Sequence, residues 1–178
     1  LRGDANVEAK MTAGTLKTTS NSPTIYVSGS KAEAVRMEIT GGELIAQGGM
    51  TTAAIVGYNY GDVVFGGSAA ITATEAQGAT MRGNTSLRVA GGSITVSNSH
   101  SGRSAAVVVD ANAKGEITGG SITGVNGAAV QAEENGNVNI SGGTLTSGGN
   151  KAAVVALDAA QVSIAGGTLT GTAAAGAI

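Results

Sequence analysis

The stretch Asn137–Gly149, "NVNISGGTLTSGG", returns almost unchanged as "QVSIAGGTLTG" at Gln161–Gly171. A catalytic loop has no cause to recur at a fixed interval, whereas a structural unit stacked on copies of itself does. Working outward, the glycine ahead of each short apolar pair serves as a landmark: Gly14, Gly42, Gly67, Gly92, Gly120, Gly143 and Gly167. Successive spacings are 28, 25, 25, 28, 23 and 24 residues. That interval fits one coil of a solenoid, and it is too variable for a heptad or hexapeptide array.

Each coil reads as three short strands with period-two alternation. The first is the Ser/Thr-Ile/Leu-Thr element, as in Ser121-Ile122-Thr123. The second is carried by "AAVVVD" (Ala105 to Asp110), "AAVQAE" (Ala128 to Glu133) and "AAVVALD" (Ala152 to Asp158), and the third by "NVNI" and "QVSI". In the second strand the alternation sends Ala128, Val130 and Ala132 inward, and Gln131 and Glu133 outward.

Parallel coils stack like positions about 4.8 Å apart, so the pattern predicts inward columns. One is Leu16, Leu44, Ile94, Ile122, Leu145 and Leu169. Another is Met11, Ile39, Val89, Ile117, Ile140 and Ile164, and a third Ile55, Met81, Val107, Val130 and Val154. The paired glycines are read as corners, because glycine enters positive-φ conformations without the steric cost a Cβ brings. The "VVFGGSAAIT" coil (Val63 to Thr72) departs from the grammar: two extra residues separate Gly67 from Ile71, which predicts a bulge, and the alternation leaves open whether Val64 or Phe65 points inward.

Composition agrees with a narrow core. Among 178 residues there are 30 glycines, one proline, one phenylalanine, no tryptophan and 12% charged residues, so small aliphatic side chains must fill the interior. The five Arg and five Lys are scattered singly and the net charge is −2, which argues against a nucleic-acid partner. Cysteine is absent, excluding disulfides and thiolate ligands. No run is long and apolar enough for a membrane helix, and "LRGDANVEAK" has no signal-peptide grammar.

Three strands per coil, about 23–28 residues per coil, roughly seven coils and Gly-rich corners resemble a right-handed parallel β-helix, an all-β solenoid. The phrase "aaVxxxxxaxVxIsGGxIT", carried by Ala128 to Thr146 and Ala152 to Thr170, resembles the pertactin-like passenger domains of Gram-negative autotransporters. The resemblance implies a single β-helix segment over residues 1–178, internal to a longer passenger, since "LRGDANVEAK" and "GTLTGTAAAGAI" carry no polar cap over the last apolar rung. It implies export across the outer membrane to the cell surface or medium, membrane attachment only through a C-terminal β-barrel outside this sequence, and adhesin or virulence work by binding a host cell-surface or extracellular protein. The competing reading is a carbohydrate-binding or pectate-lyase-like β-helix, with a glycan as partner, or a passive stalk. The leucine-rich-repeat frame and the calcium-binding nonapeptide are both missing.

Catalysis on such a scaffold needs groups that converge across coils. The acids are mostly isolated, Glu133-Glu134 being the one adjacent pair, and His100 sits alone in a polar loop. No nucleophile elbow, phosphate loop or metal motif appears, so the expectation is a non-enzyme without cofactor or metal. Asp4, Asp110 and Asp158, with Glu133 and Glu134, recur before their landmark glycines and are read as turn carboxylates bonding their own backbone. Two binding candidates remain. Arg2-Gly3-Asp4 is an integrin-type tripeptide, which alignment with Val108-Val109-Asp110 places at a strand end. Tyr26, Val56, Val108 and Val155 occupy outward positions of the second strand, with Tyr58 and Tyr60 in the following corner; such a strip serves either as a contact surface or as the floor beneath a covering loop.

Overall fold

A computed structural model describes residues 1–3, 6–31, 35–49, 52–98 and 104–172. The N-terminal coils contribute β1 (Arg2–Gly3), β2 (Val7–Met11), β3 (Thr15–Thr18), β4 (Ile25–Gly29), β5 (Val35–Ile39) and β6 (Glu43–Gln47). Next come β7 (Ala53–Phe65), β8 (Ala70–Thr74), β9 (Gln77–Met81) and β10 (Asn84–Ser97). The C-terminal coils hold β11 (Val107–Val109), β12 (Lys114–Gly124), β13 (Val130–Ala132), β14 (Asn137–Ser147), β15 (Val154–Ala156) and β16 (Gln161–Thr170). All belong to one sheet wound into a coil, and every pairing is parallel. The chain is a parallel β-solenoid.

The first predicted column is continuous in the register, running Leu16, Leu44, Ile71, Ile94, Ile122, Leu145 and Leu169, with Ile71 completing it. The second runs Met11, Ile39, Phe65, Val89, Ile117, Ile140 and Ile164. Phe65 is therefore the inward residue of the irregular coil, and its ring is fully buried. Room for it comes from the next corner, where a Cβ on Gly92 would lie 2.9 Å from Phe65 Cε1. The two extra residues of that coil form a turn closed by a 3.1 Å hydrogen bond from Ala69 N–H to the Gly66 carbonyl.

The third column is corrected by two residues. Ile25, Ile55, Ala79, Val107, Val130 and Val154 stack on one another. Met81 instead stacks between Gly57 and Val109, and its thioether occupies the space a Gly57 side chain would fill, the ideal Cβ falling 2.3 Å from Met81 Cε. A long flexible side chain and a missing one share a single packing volume. The inward assignment of Ala128 is likewise corrected. Ala129, with Ala106 and Ala153, lies in the main core, while Ala128 packs outside it with Ala105 and Val108.

All seven landmark glycines adopt positive φ, from 60° to 95°. At Gly120 (φ 84°) a Cβ would also fall 2.7 Å from the Gly91 carbonyl oxygen of the preceding coil. Conformation and close approach both demand glycine there. In the C-terminal coils the corner does not end a strand: β12 passes through Gly119–Gly120 as one 11-residue strand with a register shift at the bend against β10. Two strands expected from the sequence are thus one bent strand, with the corner as a bulge.

The opposite corner is a four-residue turn repeated in three coils. Ala113 N–H donates to the Asp110 carbonyl at 3.2 Å, Gly136 to Glu133 at 2.8 Å and Ala160 to Leu157 at 3.1 Å. The second residue of each turn has positive φ: Ala111 at 54°, Glu134 at 51° and Asp158 at 56°. One positive φ at this position is the type II′ pattern, in which glycine is normally preferred.

Candidate binding surface

Outward residues of the second-strand sheet form the column Tyr26, Val56, Thr80, Val108, Gln131 and Val155. Four of these were expected to line up, and they do. Their exposure differs. Tyr26 is 38% exposed, whereas Val108 is 3% exposed, sealed into an outer cluster with Ala105 and Ala128 against which Val155 packs. Thr80 is also buried, donating a 2.7 Å hydrogen bond to Gln77 Oε1. The middle of the strip is therefore floor, Val108 is not available to a partner, and Gln131 and Val155 are half-buried. Short alanines in the arc before each strand fold back over the sheet, a feature that strand alternation does not report.

The N-terminal half is open. Ser28 pairs with Tyr58 and Tyr26 with Val56, so Tyr26 and Tyr58 are diagonal neighbours on adjacent coils, within reach of aromatic side chains. Tyr58 is 46% exposed. Asn59 takes φ 64° and opens a one-residue bulge, after which Tyr60 pairs with Gly29. The bulge turns Tyr60 toward the next corner and away from the tyrosine pair.

Arg2 and Gly3 form β1 and pair with Ser28 and Gly29. Arg2 therefore lies on the same rung position as Ser28 and Tyr58. Extending the Gly57–Met81 and Met81–Val109 registers by one residue carries that position to Arg82 and Asp110. The expected alignment of Arg2 with Val108 is corrected by two residues: Arg2 is level with Asp110. Asp4 lies outside the described residues, as does His100.

Asp110 does play the turn role expected of it, accepting a 2.6 Å hydrogen bond from the Ala111 N–H. Its other oxygen sits 3.0 Å from Arg82 Nε on the preceding coil, a charge contact out of line for an N–H···O bond. Glu133 stands one coil further on and accepts from the Gln131 side-chain amide. Asp158 is level with Glu134 and Ala111, since Ala132 pairs with Ala156. Among the described residues, no group of three or more His, Cys, Asp or Glu side chains is placed to hold a metal ion.

Outward columns of the third-strand sheet alternate in charge. Glu8, Arg36 and Asp62 stack in one and Lys10 with Glu38, then Arg88 with Glu116, in the next. Lys10 Nζ lies 3.1 Å from Glu38 Oε1, and Arg88 Nε 3.4 Å from Glu116 Oε2. These exposed pairs add little stability each, but they keep the face electrically neutral.

The architecture thus defines a class, the parallel β-solenoid with an open tyrosine patch on its N-terminal coils. Comparison with protein-family models, with curated proteins and with solved structures finds no match.

Proposed function

We propose that this chain is the solenoid of a secreted or surface-displayed protein of the pertactin-like passenger kind, acting as an adhesin by binding a host-surface or extracellular protein. The observation that carries the reading is the Arg2, Tyr26 and Tyr58 patch. Tyrosine and arginine dominate the energetics of protein contacts, and here two exposed tyrosines stand as diagonal neighbours on adjacent coils, with Arg2 exposed on the rung before them. Rigid ladders hold them, so little side-chain or backbone ordering is left to oppose association. The export part of the reading rests on the repeat grammar and the lack of cysteine.

The test is attachment. Wells coated with the purified chain should retain epithelial cells or fibronectin, laminin or collagen above an albumin-coated control, and Tyr26→Ser/Tyr58→Ser should remove most of that retention at an unchanged melting temperature. Retention equal to the control, or retention unaffected by the double substitution, leaves a passive stalk. Digestion of the protein by protease added to intact producing cells tests display; full protection would sink it.

A further inference from the structure

A second surface begins where Tyr60 turns away from the tyrosine pair. Tyr60 pairs with Asn84. The Ser86–Lys114 register, carried back two residues, sets Asn112 on Asn84, and the Lys114–Asn137 register sets Asn135 on Asn112. A tyrosine and three asparagines therefore stack on one corner of successive coils. Beside them runs a second column of Asp62, Ser86, Lys114, Asn137 and Gln161. A groove between the columns is lined by Tyr60, Asp62, Asn84, Ser86, Asn112 and Lys114. Through Ser86 and Lys114 it continues past Arg88 and Glu116 to Asn137 and Asn139.

The backbone that carries these side chains is fixed, and their polar groups are uncommitted. Asp62 Oδ1 accepts a 2.5 Å hydrogen bond from Ser86 Oγ, and its second oxygen has no hydrogen-bond partner among the described residues. The amides of Asn84 and Asn112 and the ammonium of Lys114 have no side-chain partner among the described residues. Asn112 is held by the Asp110–Ala113 turn and Asn84 by its pairing with Tyr60. Asp62 offsets Lys114 and Arg88 offsets Glu116, so the groove has no net charge. A polyanion finds no attractive field there.

Neutral sugars present what this row complements. Each vicinal hydroxyl both donates and accepts, and the row offers carboxylate, amide, ammonium and amide in sequence. The half-buried Tyr60 supplies an aromatic face for the C–H side of a ring at one end. Coils spaced about 4.8 Å apart repeat at close to the length of one pyranose. We propose that this groove binds a neutral oligosaccharide lengthwise along the solenoid, with one ring on Tyr60 and its hydroxyls on Asp62, Asn84, Asn112 and Lys114. The site adds a ligand class to the binding role proposed above without depending on it.

The probes are neutral hexasaccharides of glucose, mannose, galactose and N-acetylglucosamine, with a heparin hexasaccharide as the anionic comparison, titrated into the chain by calorimetry and by amide NMR. At least one neutral probe should bind and shift the Asn84, Asn112 and Lys114 resonances. Asn112→Ala, at an exposed turn position, should weaken it roughly five- to tenfold, Tyr60→Ala by about tenfold or more, and Tyr60→Phe little. Thr144→Ala, on another face, should leave it unchanged. Absence of binding by every neutral probe, preference for heparin, or wild-type affinity in Asn112→Ala and Tyr60→Ala would each overturn the assignment. Loss of sugar binding with cell attachment retained would remove this site alone and leave the tyrosine patch standing.

Discussion

Two small substitutions on neighbouring corners should change stability in opposite directions, for one physical reason. Gly120 has φ 84° and Ala111 has φ 54°. Holding an L-residue in the left-handed region costs about 1–2 kcal/mol. Gly120→Ala incurs that cost and also pushes a methyl against fixed backbone, with the Gly91 oxygen at 2.7 Å, the Gly91 carbonyl carbon at 2.9 Å and the Gly92 oxygen at 3.0 Å. No flexible side chain is available to yield, so the loss should reach roughly 2–4 kcal/mol. Ala111→Gly relieves the same conformational cost, offset by about 0.5–1 kcal/mol of extra freedom in the unfolded chain. The net gain should be up to about 1 kcal/mol. Urea and thermal melts followed by circular dichroism read both. At this size 1 kcal/mol moves the midpoint by about 2–4 °C, so the two variants should straddle the parent with a separation of roughly 4 °C or more. If Ala111→Gly lowers the midpoint as far as Gly120→Ala does, the corners are not governed by φ and the reading of the landmark glycines fails.

Three further outcomes follow from the ladders. Ile140→Asp places a carboxylate between Ile117 and Ile164 in a dry column and should cost several kcal/mol, whereas Thr144→Asp, exposed four residues on, should stay within about 0.5 kcal/mol; equal melts would mean a one-residue slip of register. Phe65→Ala, removing the largest buried side chain, should cost about 3–5 kcal/mol, and a melt within 1 °C of the parent would place Phe65 outside the core. Gly57→Ala should cost less than Gly120→Ala, because the obstructing atom is the mobile end of Met81. A double-mutant cycle with Met81→Val should then show coupling of about 0.5 kcal/mol or more, and strict additivity would deny the shared volume.

The period and two of the three inward columns were legible because each rests on a repeated physical demand: a positive-φ corner, then an aliphatic residue two positions on. Alternation puts Met81 in the Val107 column, yet Ala79 holds that position and Met81 fills the gap left by Gly57. Counting back from the landmark glycines sets Asp4, Asp110 and Asp158 at one level, whereas backbone pairing sets Arg2 and Leu157 level with Asp110. Val108 was correctly pointed away from the main core, but its burial depends on Ala105 and Ala128 in the arcs that precede the strands, and alternation along a strand carries no information about what folds over it. The Tyr60–Asn84–Asn112 column was open to discovery in the sequence. It follows from the third-strand register extended backward through the turn that holds Asp110 and Glu133.

Because the C-terminal coils repeat one cross-section, length in that half of the molecule comes in whole units. Excising residues 120–142 would join Gly119 to Gly143, restoring a Gly-Gly corner, and would bring Leu145 onto Ile94 in place of Ile122. The inward columns should stay continuous and the solenoid shorten by one rise of about 4.8 Å. A gene encoding such a chain can therefore lose or duplicate a single tandem unit by unequal crossing-over while the columns stay in register, so the length of the solenoid is a trait that recombination can change in one step.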